Sequence, residues 1–353
     1  MARCDALAFE EWPRSLPPLR DAHAAWMAWV RESVRPARPG PPPCGDDAPL
    51  LSRHWREMLD GAEYVPPDLV PDEPPLFRRT LVHAFCAIPH ATPLLPPPRH
   101  EGDNWCGAVL RARRGLRFTE VAGRWRVPRC AAPPPAGDGE GPPPQGSAWI
   151  GFDGASLASR SLPQIGITFA PARNGGAPAA SAWFQWWVRD RWSPPVRLAG
   201  LAVAPGQRVM GSLLVLSPTR VRGILRNLDT GRITGVEAEA PDLGGALGLC
   251  RGDGLRVAAA TAAWIVERPA DPRARDPDRQ LHPLPLFPPV LFEGCAARAA
   301  AGPGEAGEEV PLRQARLLRM TDRRDAPRRS VVIATARMRG LPPGALLVER
   351  RRR

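Results

Sequence analysis

Proline sets the first limit on how this chain can fold. There are 46 prolines in 353 residues, about 13%, with runs at 41–43, 96–98, 133–135 and 142–144; a typical globular chain holds about 5%. Proline has no amide N–H to give to a helix interior or a central strand, so each run reads as a loop or linker. Regular structure must therefore come in short pieces. With 43% hydrophobic residues, the pieces between the runs can still bury a core.

Those pieces differ along the chain. Residues 1–98 read as a Pro-rich, partly helical extension, propeptide-like or accessory. Trp26, Trp29 and Val30 recur at helical spacing in 21–33, and 50–59 offers a second short amphipathic stretch. Residues 101–340 alternate in the manner of strands, at 105–112, 117–127, 147–153, 164–170, 181–189, 208–216, 219–227, 232–239, 255–267, 284–293, 312–320 and 330–338. Asn227-Leu228-Asp229-Thr230-Gly231 supplies a hairpin turn. A dozen strands with no amphipathic helices between them predict an all-β sandwich or barrel. The Ala-, Gly- and Glu-rich 299–310 reads as a surface loop, and 341–353 as a basic C-terminal tail.

Alternation also assigns faces. Ile150 and Phe152, Ile165, Ile167 and Phe169, and Phe184 and Trp186 point one way and form a core face. Trp149, Gly151 and Asp153, Gln164, Gly166 and Thr168, and Trp183, Gln185 and Trp187 point the other way. Rings interleaved with polar groups suit an extended polymer ligand, and the two glycines are expected to leave space among them. A second packed layer over the tryptophans is the competing reading. In 262–269, Glu267 shares a face with Ile265, and Trp264 with Val266.

The formal charge is +12, carried entirely by Arg with no Lys. The arginines are scattered except in 313–329 and 350–353, with no basic stripe interleaved with aromatics, so no nucleic-acid partner is expected. No apolar run approaches the length of a membrane span, and no apolar leader follows Arg3. The seven cysteines (4, 44, 86, 106, 130, 250 and 295) are odd in number with no C-x-x-C pair, and read mostly as small buried apolar residues. Only His282 falls in the strand-rich part, and no H-E-x-x-H or G-x-S-x-G occurs. Neither a metal, another cofactor nor a serine or cysteine triad is expected.

Five segments in order resemble the glutamic peptidases, or eqolisins. They are Asp103-Asn104-Trp105-Cys106-Gly107-Ala108-Val109-Leu110, Ser147–Gly154, Pro163–Gly166, Ala182–Trp187 and Trp264–Glu267. The resemblance implies a lectin-like (concanavalin A-like) sandwich of two antiparallel sheets. It places the family's catalytic glutamine on Gln164 and its catalytic glutamate on Glu267. A substrate cleft would be lined by Trp105, Trp149, Asp153, Gly166, Trp183, Gln185 and Trp187. Gln185 stands where the fungal cleft strand has an acidic residue.

The implied activity is a monomeric endopeptidase acting on protein or peptide by direct water attack. Glu267 would serve as general base and acid, and Gln164 as oxyanion stabiliser. The alternative is a catalytically inactive lectin-like sandwich that binds peptide or carbohydrate. Compartment stays open: no leader is visible, while the resemblance implies secretion if translation starts elsewhere.

Overall fold

The computed structural model describes residues 19–40, 48–71, 100–133, 142–155, 161–172, 176–188, 193–241, 255–269, 281–322, 331–340 and 344–351. Helix α1 (Leu19–Ser33) leads to strand β1 (Val34–Pro36), helix α2 (Pro49–Leu59), β2 (Glu63–Tyr64) and β3 (Leu69–Pro71). Then come β4 (His100–Gly102), β5 (Trp105–Arg111), β6 (Arg117–Arg126), β7 (Gly146–Phe152), β8 (Ser161–Ala170) and β9 (Ala179–Val188). After these follow β10 (Val196–Leu198), β11 (Arg208–Ser217), β12 (Arg220–Asn227), β13 (Arg232–Glu239) and β14 (Thr261–Glu267). The chain ends in β15 (Val290–Ala300), β16 (Gly307–Val310), β17 (Arg316–Asp322), β18 (Val331–Arg339) and β19 (Ala345–Arg350).

These strands build an antiparallel β-sandwich. One layer runs β10-β9-β8-β7-β14-β5-β17. The other runs β13-β12-β11-β6-β15-β19, and β18 joins β17 to β19 to close one side. The main core lies between the layers. It takes Ile150, Ile165, Phe184, Trp264 and Val266 from the first, and Val121, Trp125, Leu213 and Phe292 from the second. Every inward residue named from alternation in β7, β8 and β9 belongs to this cluster, because period-two side chains on a half-buried strand have only one dry side.

Four stretches differ from the sequence expectation. Residues 255–260 stay outside the ladder, and β14 starts at Thr261. Ala259 has φ 49, and the amides of Ala259 and Ala260 are committed to the Asp153 carboxylate instead of a neighbouring strand. In 284–293, the continuous strand begins only at Val290, after an isolated bridge between Leu286 and Ala131, since Pro285, Pro288 and Pro289 cannot donate to a ladder. The 299–310 loop is instead a hairpin, with β15 running to Ala300 and pairing back onto β16. The stretch 341–353, expected as a tail, holds β19, whose Ala345, Leu346, Leu347 and Val348 are all buried. The Arg251-Gly252-Asp253-Gly254 turn and Cys4, Cys44, Cys86 and Cys250 lie outside the described residues. Cys106, Cys130 and Cys295 are free, buried thiols, and burial pushes Cys106 up to about 12.

The N-terminal helices pack on the sandwich through the apolar residues that recur at helical spacing. Trp26, Trp29 and Val30 enter the main core, and Trp29 Nε1 donates to Glu239 O at 2.9 Å. Helix α2 covers the outer face of the second layer. Its Trp55 and Met58 pack on Met210, Leu214, Ile224 and Ile233. With no side-chain cap of its own, α2 has its Leu50 and Leu51 amides bound by Glu309 Oε2 at 3.0 and 3.2 Å. A carboxylate there satisfies orphan N–H groups and the positive end of the helix dipole.

Beneath α2 lies a buried polar layer. His54 Nε2 meets Ser212 Oγ at 2.8 Å, Trp55 Nε1 donates to Glu120 Oε1 at 2.6 Å, and Arg124 holds Glu57 at 2.7 Å. Burial, aided by Arg124, lowers His54 to about 3, so it is neutral. Burial raises Glu120 to about 7, against the pull of Trp55 and Arg298. Trp55→Ala would empty an indole-sized space and leave Glu120 Oε1 without its donor. We expect a loss of about 3–5 kcal/mol in urea unfolding. Trp55→Phe, which keeps the bulk and loses only the N–H, should lose about 1–2 kcal/mol.

Candidate active site

Strand β7 is the axis of the site. On one side, β14 sets Ile265 opposite Trp149 and Glu267 opposite Ser147. On the other, β8 sets Gly166 opposite Trp149 and Gln164 opposite Gly151. Glu267 and Gln164 therefore stand on the two strands flanking β7, with Trp149 midway between them in register. All three point away from the main core.

Trp149 can occupy that middle position because of Gly166. A Cβ on Gly166 would come within 2.5 Å of Trp149 Cβ and 2.6 Å of Ala148 O. The glycine does not leave open space, as alternation suggested; its missing side chain is filled by the tryptophan. Trp105 meets Trp149 edge-on, with centroids 4.9 Å apart and planes at 77°. Trp105, Trp149 and Trp183 are buried in a second apolar cluster with Leu162, Ile265 and Leu318, and Trp187 packs at its margin. Three of the four expected cleft tryptophans thus form a packed floor, while Trp187 and Gln185 stay half-buried.

Glu267 closes β14 just before Arg268-Pro269. Trp149 Nε1 donates to its Oε2 at 2.7 Å and Asn104 Nδ2 to its Oε1 at 3.4 Å. Trp105 faces the same carboxylate, though its buried Nε1 closes no hydrogen bond. Burial pushes Glu267 up to about 7, and the N–H groups of Trp149, Trp105 and Asn104 pull the other way. A carboxyl at that value can both accept and return a proton near neutrality. The strand end is fixed by Arg268, whose N–H donates to Asn104 O at 3.0 Å and whose Nε donates to Asp103 O at 2.6 Å.

Gln164 is 4% exposed. Its Nε2 donates to Gln185 Oε1 at 2.6 Å, and Gln185 Nε2 donates to Ser193 O at 2.6 Å. Ser193 Oγ in turn accepts the Val188 N–H at 3.0 Å. This chain fixes which way the Gln164 amide faces and uses one of its two N–H groups. Its Oε1 is buried with no hydrogen-bond partner among the described residues. A buried carbonyl left empty is costly in a structural role and suits a site that takes a polar ligand.

Asp153 does not line this site. It sits just past the end of β7 at φ 67, 1% exposed, and both its oxygens accept backbone N–H groups, from Ala259 and Ala260 at 2.8 Å each. Burial raises it to about 6, opposed by those amides. Alternation ends at Phe152, so Asp153 turns in to hold the approach to β14. Asn104 and Ser193 were not singled out from sequence. Asn104 lay inside the Asp-Asn-Trp segment without a role, whereas Ser193 follows β9 with no pattern to mark it.

The sequence pattern of the Peptidase A4 family matches residues 103–336, about two thirds of the chain. No curated protein matches the sequence. Among solved structures, a scytalido-glutamic peptidase with a transition state analog inhibitor is similar at TM-score 0.52 and 20% identity, covering 70% of this chain and 98% of that one. SCP-B, a member of the eqolisin family solved with the tripeptide Ala-Ile-His, is similar at TM-score 0.50 and 19% identity, again over 70% and 98%. At such identities the structures establish a common fold, and the sequence pattern spans every residue of the site from Asn104 to Arg268. The chain belongs to the Peptidase A4 family, the glutamic peptidases.

Proposed function

We propose that this chain is an endopeptidase in which Glu267 and Gln164 hydrolyse a peptide bond by direct attack of water. The reading is carried by one juxtaposition. A half-buried carboxylate and a buried amide whose acceptor has no partner among the described residues flank the same tryptophan, on either side of β7. A water between them would donate one hydrogen to ionised Glu267 and the other to Gln164 Oε1. As Glu267 takes its proton, the water oxygen attacks the scissile carbonyl.

The carbonyl oxygen gains charge as the tetrahedral intermediate forms. The Gln164 N–H that Gln185 does not use is available to stabilise it. Glu267, now protonated, gives its proton to the departing amine, the C–N bond breaks, and the carboxylate is restored. Trp149 stays on Glu267 Oε2 throughout, which keeps the other oxygen directed at the water.

The base must start ionised, so its proton affinity sets the acid limb of kcat/KM. With Glu267 held at about 7, the rate should fall tenfold per pH unit below that value. Trp149→Phe removes a hydrogen bond made to the charged form, and losing such a bond raises the affinity for the proton. The acid limb should move up by about one pH unit. Initial rates on a fluorogenic peptide across the pH range measure this; an unmoved limb in Trp149→Phe would remove Glu267 as the base.

A further inference from the structure

Ten of the chain's twelve net positive charges lie in residues 313–353, where thirteen arginines face only Asp322, Asp325 and Glu349. Three strands of that stretch, β17, β18 and β19, pair side by side. They enclose a depression of about 360 Å³ whose lining includes Leu318, Arg319, Thr335, Arg337, Glu349 and Arg351. Among the described residues the lining carries three arginines and one acid. Glu349 is engaged by Arg337, at 3.1 Å from Nε and 3.2 Å from NH2, and the formal charge of this described lining is positive.

Leu318 ties this depression to the active site. It lines the depression and also packs in the cluster that holds Trp105 and Trp149. Through the ladder it lies opposite Gly107, which lies opposite Ile265, two residues before Glu267 on β14. Two strand spacings and two residues along a strand separate Leu318 from Glu267 by roughly 12 Å, the span of about four extended residues.

We propose that this depression is a distal substrate subsite that takes a carboxylate, directing the enzyme to polypeptides with acidic residues about four positions from the scissile bond. The inference rests on the peptidase reading above. Guanidinium groups match a carboxylate with paired N–H donors, and the apolar Leu317 and Leu318 beside them limit competition from water. A side chain of Asp or Glu and a peptide's terminal carboxylate offer the same group.

The test uses fluorogenic peptides with one scissile core and Asp, Asn or Lys placed about four residues to either side, each with a free or amidated C-terminus. The Asp peptide should show a KM about tenfold below that of the Asn peptide with equal kcat, and the Lys peptide a higher KM. That preference should vanish in about 0.5 M salt and in the double variant Arg337→Gln/Arg351→Glu, which should cleave the Asn peptide as the parent does. A KM that rises on amidation by a similar factor in all three peptides would assign the terminal carboxylate as the bound group. KM values that are equal for all three peptides and unmoved by amidation, or a preference that survives in the variant, would overturn the proposal.

Should no peptide be cleaved, the peptidase reading fails while the subsite can still be judged by fluorescence anisotropy of the labelled Asp peptide. Salt-sensitive binding lost in the double variant supports the subsite, and equal binding to both forms rejects it. Tighter binding of a single-stranded oligonucleotide than of the acidic peptide, lost in the same variant, would also reject it and assign the patch to nucleic acid.

Discussion

Gln164→Ala should lower kcat by about 10²–10³-fold, the usual cost of removing one oxyanion donor, with KM changed by no more than a small factor. The amide has two tasks, and both are specific to the reacting state. Its empty Oε1 would receive the attacking water, and its free N–H would meet an oxygen that becomes strongly charged only in the tetrahedral intermediate. Neither task contributes much to holding the ground-state peptide, so the loss falls on kcat.

The variant should remain folded. Gln164 sits outside the main core, and its side-chain partner among the described residues, Gln185, keeps its own bond to Ser193 O. Removing a buried carbonyl that has no partner even relieves a cost. Unchanged kcat with a raised KM would make Gln164 a substrate-binding residue and nothing more.

Much of this was legible in the sequence, for a physical reason. In the β14 segment, alternation put Trp264 and Val266 on one face and Ile265 and Glu267 on the other; the structure turns the first pair into the main core and Ile265 into the second cluster. Period two is rigid along a strand, so a few aromatic and aliphatic residues set the face of every neighbour. Where the strand ends, the inference ends with it: Asp153 lies one residue past β7 and turns to the Ala259 and Ala260 amides.

Long-range packing was the other blind spot. Glu120 is a charged residue in a strand, which reads as surface, yet helix α2 covers it and Trp55 donates to its carboxylate. Nothing local to either segment announces that pairing. The tryptophans of the cleft face were correctly grouped, but their mutual burial depends on Gly166 admitting Trp149 and on Leu318 arriving from β17. Gln185 was placed on the right face from sequence, while its role in orienting Gln164 depends on Ser193, which lies beyond the end of β9.

Glu267→Gln removes the base with almost no change of shape. An amide oxygen can still accept from Trp149, but the side chain no longer takes a proton. Its stability gives an internal control. The native carboxyl is raised to about 7 by burial, above its usual unfolded value of about 4.3. Its favourable contribution is therefore complete below about pH 4 and is lost as pH rises through 7. Above neutrality the fold holds a desolvated charge that the variant lacks, so Glu267→Gln should unfold about 1–3 kcal/mol harder than the parent near pH 8.

The decisive measurement is kcat/KM from about pH 4 to pH 9 for the parent and Glu267→Gln, on one peptide, with a chelator and with serine- and cysteine-directed reagents present. The parent should show an acid limb near 7, and the folded variant should be at least about 10³-fold slower at every pH. A variant that keeps the parent's rate and profile would rule out Glu267 as the base.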